Sequence, residues 1–192
     1  MKLRITLATL AALVTPGIAF AHTGAEHALS FASGFAHPFT GVDHTLAMLA
    51  VGLWAGLNSG RALWVWPLAF VAMMLIGGTM GMAGVHVPMV EAGILASVVV
   101  LGLLVLAAAQ WPVVLGAALI AVFALLHGHA HGAELPMGAA AATYAGGFAL
   151  GTAILHAVGL AVANVDSGSV SQRIVRGAGA LVAAGGIALA FV

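Results

Sequence analysis

The sequence contains no cysteine and few charged residues. Without cysteine the chain forms no disulfide, no thiolate metal site and no iron–sulfur cluster. Charged residues make up 5% and hydrophobic residues 63% of the 192 residues, whereas a soluble domain is roughly 25% charged. So few charges cannot coat a soluble globule, and we therefore expect the chain to lie in a lipid bilayer. The five lysine and arginine residues also provide no basic surface for nucleic acid.

Histidine is the polar residue in excess. The sequence has nine histidines against five basic and five acidic residues. Imidazole is the commonest protein ligand for metals near neutral pH. Because thiolates are absent, metal binding would fall to imidazole and carboxylate groups, a ligand set suited to Ni²⁺, Co²⁺ or Zn²⁺.

The N-terminal segment has the pattern of a secretory signal peptide. Lys2 and Arg4 precede an apolar run at residues 5–14, which is too short for a stable span, and residues 19–21 (Ala-Phe-Ala) form a small-x-small cleavage site. Cleavage after residue 21 would make His22 the first residue of the mature chain. Its free amine and its imidazole can together chelate a metal. The alternative is an uncleaved first helix.

Six apolar runs follow the leader, each close to the roughly 20 residues that cross a bilayer. They predict an all-α fold, a polytopic membrane helical bundle of about six transmembrane helices in residues 22–192, after a signal peptide at 1–21. The runs lie at about 39–57, 62–82, 91–109, 113–131, 138–163 and 177–192. Small-xxx-small pairs, which let helices approach closely, predict a compact bundle with little interior room: Gly52/Gly56, Gly77/Gly81 and Gly147/Gly151.

Basic and tryptophan residues predict the orientation. Arg61, Arg173 and Arg176 are the only lysine or arginine residues after the leader. With a periplasmic N-terminus all three lie on the cytoplasmic side, as the positive-inside rule requires. We therefore expect a multi-pass protein of the bacterial inner membrane. The tryptophans fall near the same boundary, where an indole N–H can stay in contact with water: Trp54, Trp64, Trp66 and Trp111.

A first polar group opens the first predicted span, in the segment His-Pro-Phe-Thr-Gly-Val-Asp-His at 37–44. Pro38 suits a first helical turn, which would put His37 at the helix mouth and His44 two turns deeper on the same face. An ionisable residue in a span costs at least about 2–3 kcal/mol unless it has a partner or a function. Asp43 with two imidazoles predicts a metal site. The alternative is a buried Asp–His pair that joins two helices.

A second polar group lies at the periplasmic end of the fourth predicted span. His127 and His131 are four residues apart and share one helix face, with His129 between them. Glu134 follows about one turn later if the helix continues. Such histidine-rich tracts are typical of metal binding, although a solvated loop has the same composition.

A third position, His156, lies in the fifth predicted span. It could be an inner relay ligand or a histidine bonded to a backbone carbonyl. His44 lies inside the first span and His156 deeper, a gradient that suits import better than efflux. The other seven histidines fall outside or at the outer mouth in this topology: His22, His27, His37, His86, His127, His129 and His131.

These motifs resemble the HupE/UreJ family of hydrogenase and urease accessory membrane proteins. The likeness covers nearly the whole chain and is carried by residues 37–48, 127–136 and 155–159. It implies a secondary permease for nickel, in some members cobalt, that supplies metalloenzymes such as hydrogenase or urease and keeps no permanently bound cofactor. A second nickel/cobalt permease family has His-x4-Asp-His, one residue shorter than here. The positions matching the family's polar residues are His37, Asp43, His44, His127, His131, Glu134 and His156.

Two other classes of function are alternatives to a permease. A rhomboid-type protease shares about six spans and a His-x-x-Gly, but the chain has no Gly-x-Ser nucleophile, and Ser97, well inside a span, has alanine and valine neighbours. The His-Glu-x-x-His motif and a phosphate-binding loop are absent as well, so no enzyme is expected. A metal-binding membrane chaperone or sensor without transport is the alternative function. The sequence does not distinguish Ni²⁺ from Co²⁺, and it does not determine proton coupling or homo-oligomerisation.

Overall fold

The computed structural model describes residues 30–135, 138–164 and 169–191. Within these ranges the ordered elements are helices and no strand occurs, which confirms the all-α prediction. The predicted signal peptide and His22 lie outside the described residues. A short 3-10 helix (His37–Phe39) precedes the second of seven α-helices, which are α1 (Phe31–Ala36), α2 (Val42–Asn58), α3 (Ala62–Met82), α4 (Val90–Leu106), α5 (Val113–Ala133), α6 (Ala139–Ala163) and α7 (Ser169–Leu189).

The helix count differs from the prediction. Helices α2 to α7 correspond to the six predicted spans, but α1 is additional and α7 begins eight residues earlier than expected. In the described part of the chain, α3, α5 and α6 are long and apolar enough to cross a membrane, and α4 is apolar but shorter. Helix α2 has only 17 residues and carries Asp43 in its first turn, and α7 carries Arg173 and Arg176 in its first half.

Local signals set the boundaries of these helices. Ser30 caps α1, since its hydroxyl accepts a hydrogen bond from the Ser33 backbone N–H at 3.0 Å. The turn between α2 and α3 uses positive φ at Ser59 and Gly60, a conformation that glycine adopts without strain. Pro112 stands immediately before α5 as its N-cap.

Glycines bring the long helices into backbone contact. Helices α3 and α5 pack together most extensively, and a Cβ on Gly77 or Gly128 would overlap the backbone of the facing helix, at Leu125 and Met74 respectively. Gly52 meets the backbone of α6 in the same way. The predicted pairs Gly77/Gly81, Gly52/Gly56 and Gly147/Gly151 thus all lie at close helix contacts, as small-xxx-small pairs do in membrane proteins.

Substituting Gly128 by alanine should destabilise the bundle by about 1–3 kcal/mol, the usual effect of overpacking. The new methyl would overlap the carbonyl of Met74, so α3 and α5 would have to separate. The matched control is Gly78→Ala, because a Cβ there meets Gly128 O at an ordinary 3.6 Å. Thermal unfolding in detergent compares the two variants, and equal stability would show that this contact is not tightly packed.

A cleft lies beside these close contacts. An apolar cleft of about 520 Å³ opens to the surface between α3, α5 and α6, so the prediction of little interior room is not contradicted. Glycine and alanine line much of it, including Gly78, Gly132 and Ala145, so the same small residues that allow close contacts also leave this space unfilled. His131 borders the cleft.

Tryptophan and arginine residues collect at one end of the bundle. The indole N–H groups of Trp54 and Trp66 donate to the carbonyls of Ala109 and Val113, each at 2.9 Å. Both rings are fully buried, so the expectation that they contact water is wrong for these two. Trp64 and Trp111 are exposed. At the same end, Arg61 lies over the Trp64 ring and Arg176 donates to Leu106 O at 2.8 Å.

Candidate metal site

The chain before α2 does not continue that helix. Gly41 is extended, with φ −93° and ψ 122°, and it separates α2 from the 3-10 helix that contains His37 and Pro38. The prediction that His37 and His44 share a face of one helix is therefore wrong. His37 reaches the site through packing, with its ring centroid 4.5 Å from that of His131 and 5.8 Å from that of Tyr144.

Four imidazoles from three elements meet at the end of the bundle opposite the tryptophans. We call His37, His44, His127 and His131 the imidazole cluster. His44 lies at its centre, with ring centroids 4.4 Å from His131 and 4.7 Å from His127. The Nε2 atoms of His44 and His131 are 2.5 Å apart. The two polar groups of the sequence, which lie about 90 positions apart along the chain, thus form one site.

Asp43 orients the central imidazole. Its Oδ1 accepts hydrogen bonds from His44 Nδ1 at 2.7 Å and from the His44 backbone N–H at 2.8 Å. A carboxylate accepts only, so neutral His44 carries its proton on Nδ1 and has its lone pair on Nε2, the atom that faces His131. Carboxylates hold metal-binding histidines in this way. Asp43 is therefore a hydrogen-bond partner of His44, and its role as a direct metal ligand stays a prediction.

The Nε2 atoms of His44 and His131 lie closer together than a shared metal ion would allow. Imidazole nitrogens bind such metals at about 2.0–2.1 Å, so two ligands on one ion lie roughly 3 Å or more apart. His44 and His131 Nε2 must separate by about half an ångström or more to admit one. Consistently, no group of three or more His, Asp or Glu side chains in the described ranges is arranged to hold a metal ion.

The remaining predicted residues lie outside the imidazole cluster. Helix α5 ends at Ala133, and Glu134 is its exposed C-cap rather than the start of another turn. His129 donates from Nε2 to Val85 O at 2.6 Å, which ties α5 to the loop after α3. His86 is exposed in that loop.

His156 is buried alone in α6, deeper than the cluster. It is 1% exposed, and neither ring nitrogen has a hydrogen-bond partner among the described residues. The alternative of a backbone carbonyl partner is thus not what the structure shows. The Phe70 ring lies between the two levels, with its centroid 5.0 Å from that of His156 and 5.8 Å from that of His127.

Several residues around the site were missed by the sequence analysis. Phe148 packs on His37 and His131, with centroids at 5.6 and 4.9 Å, and Phe70 separates His127 from His156. Neither differs in sequence from an ordinary apolar core residue. Ser97, which contacts His127 at 2.9 Å, did carry a signal, since it is the only hydroxyl in α4.

The long apolar helices, joined by close glycine contacts around buried imidazoles, define a polytopic helical membrane protein. The chain belongs to the HupE / UreJ protein family, whose model matches residues 10–189, and the resemblance of the motifs is thereby confirmed. It is 45% identical over 189 residues to Protein HupE of Rhizobium leguminosarum bv. viciae, an alignment that covers 98% of each chain. No solved structure matches it.

Proposed function

We propose that this protein is a secondary permease that imports Ni²⁺, with Co²⁺ as a second substrate, for metalloenzymes such as hydrogenase or urease. The observation that carries the proposal is the pair of Nε2 atoms on His44 and His131, which two distant helices bring together inside an apolar bundle. Two neutral imidazoles with a carboxylate nearby suit a borderline divalent cation. If these positions served only for packing, apolar side chains would be more stable there than imidazoles, since burying a polar group is unfavourable.

The ends of the bundle support inward transport. Arg61 and Arg176 lie at the tryptophan end, which the positive-inside rule assigns to the cytoplasm, and the imidazole cluster then faces the periplasm. The ion would pass from His44 and His131 beyond Phe70 to His156. Two charges moving inward gain roughly 4.6 kcal/mol per 100 mV of membrane potential, so uptake can proceed without ATP.

The test is uptake of radiolabelled Ni²⁺ into proteoliposomes with an inside-negative potential, with Co²⁺ and Zn²⁺ as competitors. Saturable uptake above that of protein-free liposomes supports the permease, and the competitors rank its substrates. His86→Ala is the control, because this imidazole is exposed and lies outside the cluster. Binding of Ni²⁺ without uptake would exclude transport and leave a metal-binding membrane chaperone or sensor.

Replacing Asp43 by asparagine should weaken Ni²⁺ binding by about 10–100-fold, the usual effect of losing a partner that orients a ligand. Asparagine has a similar size but no charge, so His44 Nδ1 would lose the carboxylate that holds its proton and orientation. Calorimetric titration of the purified protein measures the affinity, and thermal unfolding confirms that the variant is folded. A folded Asp43→Asn protein with unchanged affinity would show that this carboxylate does not support the site.

A further inference from the structure

Ser97 lies on α4, whose other polar side chain is Glu91 in the first turn. Ser97 is fully buried, and its Oγ has two contacts, with Ile94 O at 2.6 Å and with His127 Nε2 at 2.9 Å. His127 is itself 0% exposed. A hydroxyl bonded to a carbonyl three residues earlier is common in helices, but a second bond to a buried histidine is not explained by helix geometry.

The hydrogen count decides which group donates. Two oxygens 2.6 Å apart need a hydrogen between them, and a carbonyl has none, so the Ser97 hydroxyl donates its single hydrogen to Ile94 O. Its contact with His127 therefore requires the hydrogen to be on Nε2 of the imidazole. A neutral His127 then has its lone pair on Nδ1. That atom is buried and has no hydrogen-bond partner in the described part of the protein.

We propose that Ser97 is a positioning residue that fixes the proton of His127 on Nε2 and so leaves the Nδ1 lone pair free to bind the metal ion. The role at the metal rests on the proposed function, whereas the tautomer does not. Ser97 acts on His127 as Asp43 acts on His44, whose ring centroid lies 4.7 Å from that of His127. The two residues set opposite tautomers, so that His44 offers Nε2 and His127 offers Nδ1.

The unpartnered Nδ1 gives this arrangement a functional meaning. A buried nitrogen without a partner is unfavourable. If the Ser97 hydroxyl donated to Nε2 instead, Nδ1 would carry the proton and would still have no partner in the described part of the protein. In the free protein the tautomer set by Ser97 keeps this lone pair uncompensated inside an apolar bundle. A divalent ion is the class of ligand that an imidazole lone pair beside other imidazoles would accept.

The first test is ¹⁵N solid-state NMR of the metal-free native protein with labelled histidine, assigned to His127 by the difference from His127→Gln. We expect a protonated Nε2 and an unprotonated Nδ1. A neutral His127 protonated on Nδ1 would overturn the proposal, without any dependence on a variant or on metal binding.

The second test compares two variants whose new side chains have the same shape as each other. Ser97→Thr keeps the hydroxyl, whereas Ser97→Val replaces it with a methyl group. We expect the threonine variant to retain the native tautomer and Ni²⁺ affinity, and the valine variant to show mixed tautomers and an affinity about 10–100-fold lower. Equal affinity and equal spectra for the two would exclude the positioning role. If the native protein keeps the expected tautomer but binds no Ni²⁺, the proposed function fails while the assignment of Ser97 to the tautomer stands.

Discussion

Replacing His44 by alanine should lower Ni²⁺ affinity by more than about 100-fold and abolish uptake. Losing a ligand should have a larger effect than losing the partner of a ligand, which typically reduces affinity 10–100-fold. His44 is central because it contacts His127 and His131 and is held by Asp43. Calorimetric titration measures the affinity and the proteoliposome assay measures uptake, with His86→Ala as the control imidazole outside the cluster.

A double-variant cycle tests whether His44 and His131 bind the same ion. Residues that act together show strongly non-additive losses. We expect His131→Ala alone to be nearly as harmful as His44→Ala, and the double variant to be little worse than either. Independent, additive losses would place the two histidines at separate sites. They would contradict the proposal that these imidazoles, whose Nε2 atoms are 2.5 Å apart, bind the same ion.

Hydropathy was sufficient to predict the long helices. The runs predicted at 62–82 and 113–131 agree with α3 and α5 to within two residues, since an apolar segment of this length has few alternatives to a helix in lipid. The glycine pairs were equally readable, because only a residue without a side chain permits the backbone contact between Gly77 and α5. The short helix α1 was missed, since six residues carry no periodicity that sequence reading can detect.

The sequence was sufficient to identify the histidines of the candidate site but not the contacts between their side chains. Histidine spacing correctly placed His127 and His131 on one helix face, yet the spacing of His37 and His44 misled because Gly41 interrupts the helix. Partners across the bundle depend on packing between distant segments, as with Ser97 and His127, which are 30 positions apart. The proton position of His127 follows from such a contact, whereas that of His44 follows from its sequence neighbour Asp43.

Replacing His156 by leucine should raise the stability of the protein and abolish its transport. Both of its ring nitrogens are buried without partners in the described part of the protein, and burying an unpaired polar side chain costs about 1–3 kcal/mol. Replacing His156 by leucine, which is apolar and of similar volume, should therefore raise the free energy of unfolding of the metal-free protein by about 1–3 kcal/mol. The same substitution should abolish uptake while Ni²⁺ binding at the imidazole cluster is retained, since His156 lies beyond Phe70.

Thr152→Val is the matched control, because Thr152 is equally buried one turn earlier on α6 and its hydroxyl donates to Met74 Sδ at 3.7 Å. We expect this variant to transport normally. Thermal unfolding, calorimetric titration and uptake on the three proteins separate the alternatives. A less stable His156→Leu protein would mean that the imidazole has a structural role. A more stable variant with unimpaired uptake would show that the ion does not need His156. The stability cost of this unpaired imidazole would then have no functional explanation.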